Sequence, residues 1–423
     1  FKQKTAYEIS TRDWSSDVCS SDLWLGADGE NYLKGVDGLI TDGIYSKEGI
    51  LNYWPAGYPL FIYVLSFFGK SISLTYLAVI QSAIFSFSVY LFGKELNFTK
   101  LNKYSFFIAL LIVLNPTLSL NSMAVGYESL TASGFLIISA LFLKDFRIQN
   151  RSQFLKTVLT ATFLFSAMSF FQPRLILGAV FVLTFWSAAR LGARRSIVLL
   201  PVLLIFTLLL PGLLALRNHS VTGIYSISRN LGVTMNIGAG ETTGGYVKNP
   251  PGVPCQITET NLTNENLTKI DNQRVQCVIK WYVSNPGKAL KLFYNKSLYF
   301  WSPWFGPEAN GTMARNPWLS IHPLKGMNKT ESGLKTLYGG FGKTISWLWM
   351  IGSLMLLIIG ANSLRKIGEI EKKLSTVACL IILSSWLVTL ISIGDHRFRM
   401  PIMGMSIFLQ AVGLRTLLKP DKK

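Results

Sequence analysis

Runs of mainly apolar residues, each near the length needed to cross a bilayer, recur along this chain and constrain its fold more than any other feature. The hydrocarbon core of a membrane is about 30 Å thick, so a crossing helix needs about 20 such residues, or at least about 17. Nine stretches qualify, near 72–92, 104–120, 128–143, 157–172, 174–189, 197–216, 343–360, 375–393 and 400–417. Lipid offers a backbone N–H or C=O no partner, so such stretches must satisfy themselves as helices. The expected fold class is an all-α polytopic membrane protein. The run after Pro59, LFIYVLSFFG, is too short to cross and suits an interfacial helix. Only 15% of the residues are charged, where soluble domains carry about 25%. A soluble enzyme, a disordered tail and a disulfide-dense secreted module are thereby excluded.

Forty-one Lys and Arg against 22 Asp and Glu leave a formal charge of +19. Eighteen of the cations fall in alternate short connections: Lys94, Lys100 and Lys103; then Lys144, Arg147, Arg151 and Lys156; then Arg190, Arg194 and Arg195. The series continues with Arg365, Lys366, Lys372 and Lys373, and closes with Arg415, Lys419, Lys422 and Lys423. Cytoplasmic connections carry this excess in membrane proteins, so these segments are expected inside a bacterial-type plasma (inner) membrane. The charge then reports topology, and no nucleic-acid partner is expected. The same alternation places 24–71, the turns near 121–127 and 172–174, the loop 217–342 and the turn 394–399 outside. The organisation expected is a first outer loop with interfacial helices (24–71), crossing helices (72–216), an extracytoplasmic cap of short strands and helices (217–342), further crossing helices (343–418) and a cytoplasmic tail (419–423). Cys255 and Cys277 both lie in the cap, on the oxidising side, where a disulfide between them is expected. Cys379 sits in an apolar run and reads as packing.

Residues 1–23, FKQKTAYEISTRDWSSDVCSSDL, are polar and lack the apolar core of a signal peptide. They resemble translated sequencing-adapter read-through. The chain proper is then expected to begin near Trp24, and a segment that starts outside implies a crossing helix upstream of it.

The informative residues are ionisable groups at the outer edges of the spans, where charge near hydrocarbon usually marks function. Asp28 and Glu30 lie in GADGENYLKGVDGL. Glu128 opens a span, Arg174 follows Pro173 at the start of another, and Arg217 and Asn218 close the one before the cap. Asp395, His396, Arg397 and Arg399 fall in GDHRFRMP, between the last two spans. Each has a plainer reading. An arginine at a span end snorkels to the interface, Glu128 complements a helix N-terminus, and an Asp-Gly pair favours a turn. A face carrying both carboxylates and guanidiniums is nevertheless equipped to hold an anionic lipid phosphate and to deprotonate a hydroxyl.

The order of these motifs resembles the membrane glycosyltransferases of the C-type fold, specifically the superfamily of dolichyl-phosphate-mannose–protein mannosyltransferases and aminoarabinose transferases. The likeness runs from about 24 to 418. It rests on Asp28 and Tyr32 in the first outer loop, then on Tyr53-Trp54-Pro55-Ala56-Gly57-Tyr58-Pro59 leading into an apolar segment, then on Glu128 and Arg174. Arg217-Asn218 ahead of the Gly-rich RNLGVTMNIGAGETTGG and the late Arg397-Phe398-Arg399-Met400-Pro401 complete it. It departs at Ala56, where a second proline is expected, and at Gly29, where a second acid is expected, so that Glu30 shares or replaces the role of Asp28. The resemblance implies transfer of a sugar from a polyprenyl-phosphate donor to a hydroxyl acceptor (a glycan, lipid or protein) at the outer face. Asp28, with Glu30, would act as general base. Arg217, Arg397 and Arg399, with Arg174, would hold the donor phosphate, and Tyr32, Tyr58, Glu128, Asn218 and His396 would line the site. No cofactor is implied; Asp28 and Glu30 are the one carboxylate pair on offer to a divalent metal. A lipid-linked glycan flippase or transporter, and a polysaccharide polymerase or ligase, remain alternatives.

Overall fold

A computed structural model of the chain describes residues 29–68, 74–240, 264–301, 333–394 and 396–418. Three helices form the first segment: α1 (Gly29–Asp42), the single turn α2 (Ile50–Tyr53) and α3 (Gly57–Ser66). Helices α4 (Leu74–Leu96), α5 (Ser105–Val113), α6 (Pro116–Asn121), α7 (Glu128–Ile148), α8 (Arg151–Phe171), α9 (Ile176–Leu191), α10 (Ala193–Thr207) and α11 (Leu209–Thr222) follow. After them come α12 (Leu231–Ile237), α13 (Asn264–Ser284) and α14 (Pro286–Phe300), then α15 (Gly333–Ile367), α16 (Glu369–Ile391) and α17 (Met403–Leu418). Seven helical segments are long and apolar enough to cross a membrane, eight if α10 and α11 count as one bent span. The chain is an integral membrane protein built from helices.

Helix α7 is the centre of the bundle. Sixteen of its 21 residues are buried, which is why it reads as apolar on every side rather than along one stripe. Phe135, Leu136, Phe142 and Phe146 join it to α8, α9 and α17 in one continuous core, with Phe165, Trp186 and Phe408 fully buried around it. Helices on the perimeter instead present Phe163, Ile197, Val198 and Ile205 outward, each at least half exposed, as surfaces that meet lipid must.

Two expected spans differ in form. The stretch 104–120 does not make one helix. Its chain runs back along α4 from Ser105 at one end to Ser122, whose carbonyl accepts from the Ser82 hydroxyl at 3.3 Å, at the other. Helix α5 ends at Val113, however, and α6 starts afresh at Pro116. Pro116 has no N–H to continue the ladder, and the residue before a proline is pushed out of the helical region. The stretch 197–216 becomes α10 and α11, bent by 42° at Leu208, and α11 continues to Thr222. This carries Arg217 and Asn218 into the helix rather than past its end.

The connections rich in cations lie together at one end, stitched by ion pairs. Arg147 forks onto Glu95 through contacts of 3.0 and 3.1 Å. Glu371 accepts from the backbone N–H of Lys100 at 2.7 Å, and the Lys100 ammonium donates to the Ile367 carbonyl at 2.8 Å. Asp145, fully buried, accepts from the Trp186 indole at 2.9 Å and lies 3.5 Å from Arg190. Glu128, at the other end of α7, is separated from this network by about 30 Å of helix.

The segment after α11 was expected to mix strands and helices. Among its described residues it is helical, as α12, α13 and α14. Two of its glycines, Gly232 and Gly238, sit where backbones approach closely. A side chain at Gly232 would run into the Asp271 carbonyl of α13, and one at Gly238 into the Ser392 carbonyl beyond α16. Asp271 accepts from the Gly232 and Val233 N–H groups at 2.9 and 3.3 Å, satisfying the first turn of α12. Burial nevertheless leaves its carboxyl above the ordinary Asp value. Cys277 in α13 is disulfide-bonded; Cys255 lies outside the described residues.

Candidate functional site

At the end opposite the cation network, four stretches far apart in sequence meet around Tyr127. The turn carrying Tyr127 exists because α6 stops at Asn121 and α7 starts at Glu128. The Tyr127 hydroxyl accepts from the Gln172 amide at 2.8 Å and from the Arg174 guanidinium at 3.3 Å, so the α8–α9 turn is fastened to the α6–α7 turn. Arg174 in turn lies over Phe398, its guanidinium carbon 3.6 Å from the ring centroid, a cation–π contact that brings in the α16–α17 turn. The ring of Tyr127 packs edge-on against Tyr32 of α1, with centroids 6.3 Å apart.

Tyr32 sits inside an aromatic cage, with Trp54 at 5.5 Å and Tyr58 at 5.1 Å. Pro55 and Pro59 make that possible by ending α2 and opening α3 within a few residues. Tyr58 is fully buried, and its hydroxyl donates to Gln81 at 3.1 Å while accepting from the Gly126 N–H at 2.8 Å. Burial foremost, and then the charge of Glu128, push its phenol above the ordinary tyrosine value. It stays neutral and keeps both hydrogen-bonding roles. Glu128 is itself buried, one residue from Tyr127.

Tyr32, Tyr58, Glu128 and Arg174 are thus gathered at one place. Arg399 is close by: it is buried, over the Trp301 ring at 5.8 Å and 3.6 Å from the Met350 sulfur. A small cavity of about 10 Å³ lies between Arg174, Ser384, Ser385, Val388 and Phe398. Glu30 is exposed on the first turn of α1. Asp28 and Asp395 lie outside the described residues, as do the side chains of His396 and Arg397.

Arg217 and Asn218 form a buried hydrogen-bond network within the protein. The Arg217 guanidinium donates to the carbonyls of Ile44 at 3.0 Å, Leu51 at 3.2 Å and Ser46, and to the side-chain oxygens of Asn52 at 2.7 Å and Asn218 at 2.8 Å. The Asn218 amide continues to the Ser226 carbonyl at 2.7 Å. With its donors directed at protein oxygens, Arg217 ties the loop between α1 and α2 to α11.

Several residues at this end escaped the sequence reading. Arg229 is buried, its backbone N–H donating to the Tyr53 carbonyl at 3.0 Å. Burial lowers its guanidinium from the ordinary value. Lys296 of α14 is fully buried, and its ammonium donates to the Tyr282 hydroxyl at 2.9 Å and to the carbonyls of Leu390 at 2.9 Å and Ser392 at 2.6 Å. Burial brings it down to about 7. It lies on the buried face of α14 in register with Ala289, Leu292 and Phe300, a position where the sequence offers a lysine in place of an apolar residue. Gln81, in the apolar α4, was detectable as a polar residue inside a span. Comparison with known protein families, with curated proteins and with solved structures found no match for this chain.

Proposed function

We propose that the protein is an integral membrane glycosyltransferase that moves a sugar from a polyprenyl-phosphate donor to a hydroxyl acceptor at the extracytoplasmic face. The observation that carries this reading is the meeting of Arg174, Tyr127, Glu128 and Phe398 with the Tyr32–Trp54–Tyr58 cage at the end opposite the cation-rich connections. A sugar joined to phosphate is already activated. Such an enzyme needs a base for the acceptor, cations for the departing phosphate and a surface to orient the sugar. Aromatic rings offer flat apolar faces to a pyranose, and the cage supplies them. Arg174, Arg397 and Arg399 are assigned to the donor phosphate, Arg217 to holding the first segment in place, and Asp28, with Glu30, to the acceptor proton. In the step itself the acceptor oxygen attacks the anomeric carbon, its proton passes to the carboxylate, and the polyprenyl phosphate leaves with the electron pair of the broken bond.

The test is sugar transfer from polyprenyl-phosphate donors by the protein in lipid nanodiscs. Asp28→Asn should abolish transfer while donor retention persists. Arg174→Ala and Arg399→Ala should each weaken donor retention about tenfold, the value of one charge-assisted contact of about 1.5 kcal/mol. Transfer unchanged by all three variants would overturn the assignment. Donor carried across the bilayer without transfer would establish a flippase instead.

A further inference from the structure

A cavity of about 530 Å³ opens at the cation-rich end, where α7 ends, α8 begins and α9 turns into α10. Its polar wall carries Arg151, Arg190 and Arg195, and its apolar wall carries Phe154, Leu155 and Leu199. Arg190 has a carboxylate partner in buried Asp145 at 3.5 Å. Among the described residues no carboxylate lies within ion-pair distance of Arg151 or Arg195. Two guanidiniums therefore bring uncompensated positive charge to one concave surface. The N-termini of α8 and α10 adjoin the same cavity and add the positive ends of their dipoles. Gln149, also in the wall, is the sole non-glycine with positive φ among the described residues, at 54°, and so turns the chain back at the cavity edge.

The apolar wall does not stop at the cavity. Leu155 continues along α8 through Leu159 and Phe163, 43%, 48% and 55% exposed and spaced four residues apart on one face. On α10, Ile197 and Val198 are 71% and 75% exposed. The site is thus amphipathic in the direction of the membrane normal, with cations at the rim and an open hydrocarbon-facing stripe below. A soluble phosphate would use the rim alone; a phospholipid uses both.

We propose that this cavity binds the phosphate headgroup of an anionic glycerophospholipid of the cation-rich (cytoplasmic) leaflet, with an acyl chain lying along Leu155, Leu159 and Phe163. The volume falls within the range of about 300–1,000 Å³ typical of ligand pockets. Basic recesses between membrane helices suit anionic headgroups, each Arg near the surface contributing about a fivefold preference. The proposal is independent of the transferase reading, since it concerns the opposite end of the bundle.

The experiment is native mass spectrometry of the full chain released from nanodiscs of equal phosphatidylglycerol and phosphatidylcholine. The expected result is preferential retention of phosphatidylglycerol. That preference should fall about thirtyfold in Arg151→Gln/Arg195→Gln and hold in Arg194→Gln, which changes a neighbouring exposed arginine outside the cavity wall. The Arg151→Lys/Arg195→Lys variant should keep it largely. If the double Gln variant does not fold, each single variant decides by an expected fivefold fall. Equal retention of the two lipids, or an equal fall in Arg194→Gln, would overturn the proposal. Displacement of the lipid by excess inorganic phosphate would likewise overturn it, by showing a site for soluble anions.

Discussion

Lys296 shows how far a single residue can depart from its usual surroundings. It is a lysine with no exposed surface, and its donors meet the Leu390 and Ser392 carbonyls that α16 leaves open at its C-terminus. Removing the ammonium from water lowers its affinity for the proton, to about 7 from 10.5 in the unfolded chain. Between those values the unfolded chain holds a proton that the folded chain has released, so stability rises with pH across that window. Below about 7 both states are protonated and the cost of burying the charge is present in full. The melting temperature in detergent should therefore climb from pH 7 to pH 10 relative to Lys296→Met, and parallel curves for the two proteins would contradict this account. Arg217 and Asp145 teach a related lesson. A buried arginine can be satisfied by carbonyls alone, and an acid in a stretch of cations, LKDFR, can be fully buried against a tryptophan.

At the scale of elements, α15 and α17 pack backbone against backbone. Their backbones touch where Gly360 faces the Leu409 carbonyl and Gly413 faces the Leu356 carbonyl. Small residues serve this purpose in membranes, where packing replaces the hydrophobic effect between helices. Gly360→Val and Gly413→Val should each destabilise the bundle by about 2 kcal/mol, as insertions into a packed contact do. Gly352→Ala, on a face of α15 with open space, should be neutral within about 0.5 kcal/mol. Thermal denaturation in detergent compares the three. Equal effects would remove the glycine contact from the account. The span positions themselves were readable as apolar length, because the bilayer imposes it. The break at Pro116 was readable too in principle, since proline rules hold within apolar runs. The bend at Leu208 carries the same marker: Pro211 has no N–H for the Thr207 carbonyl four residues before it, and its ring crowds that carbonyl, so the helix must restart there.

For the whole molecule, the cation alternation and the disulfide make linked claims about sidedness. Cys277 is bonded in α13, which packs beside the C-terminus of α16 through the contact of Tyr282 with the Ile391 carbonyl. Alkylation of the full chain, which has four cysteines, should add two groups without reductant and four with it. Peptide mapping should recover Cys255 joined to Cys277, and any other pairing would refute the expected bridge. Membrane-impermeant labelling of single cysteines placed at Ser226 and Ser152 should mark the first from outside the cell and the second only after lysis.

What the sequence by itself determined is the helical fold class, the approximate spans, their alternation and the list of polar groups near span ends. These follow from local rules: a bilayer sets segment length, and a membrane biases cations to one side. Only the tertiary structure decided which of those groups meet. It joined Tyr32, Tyr58, Tyr127 and Arg174, turned Arg217 into a brace, and buried Lys296 against the end of α16. Side-chain partners in a helix bundle are set by rotation and tilt about each helix axis, which depend on packing against distant helices and leave no trace in any one segment.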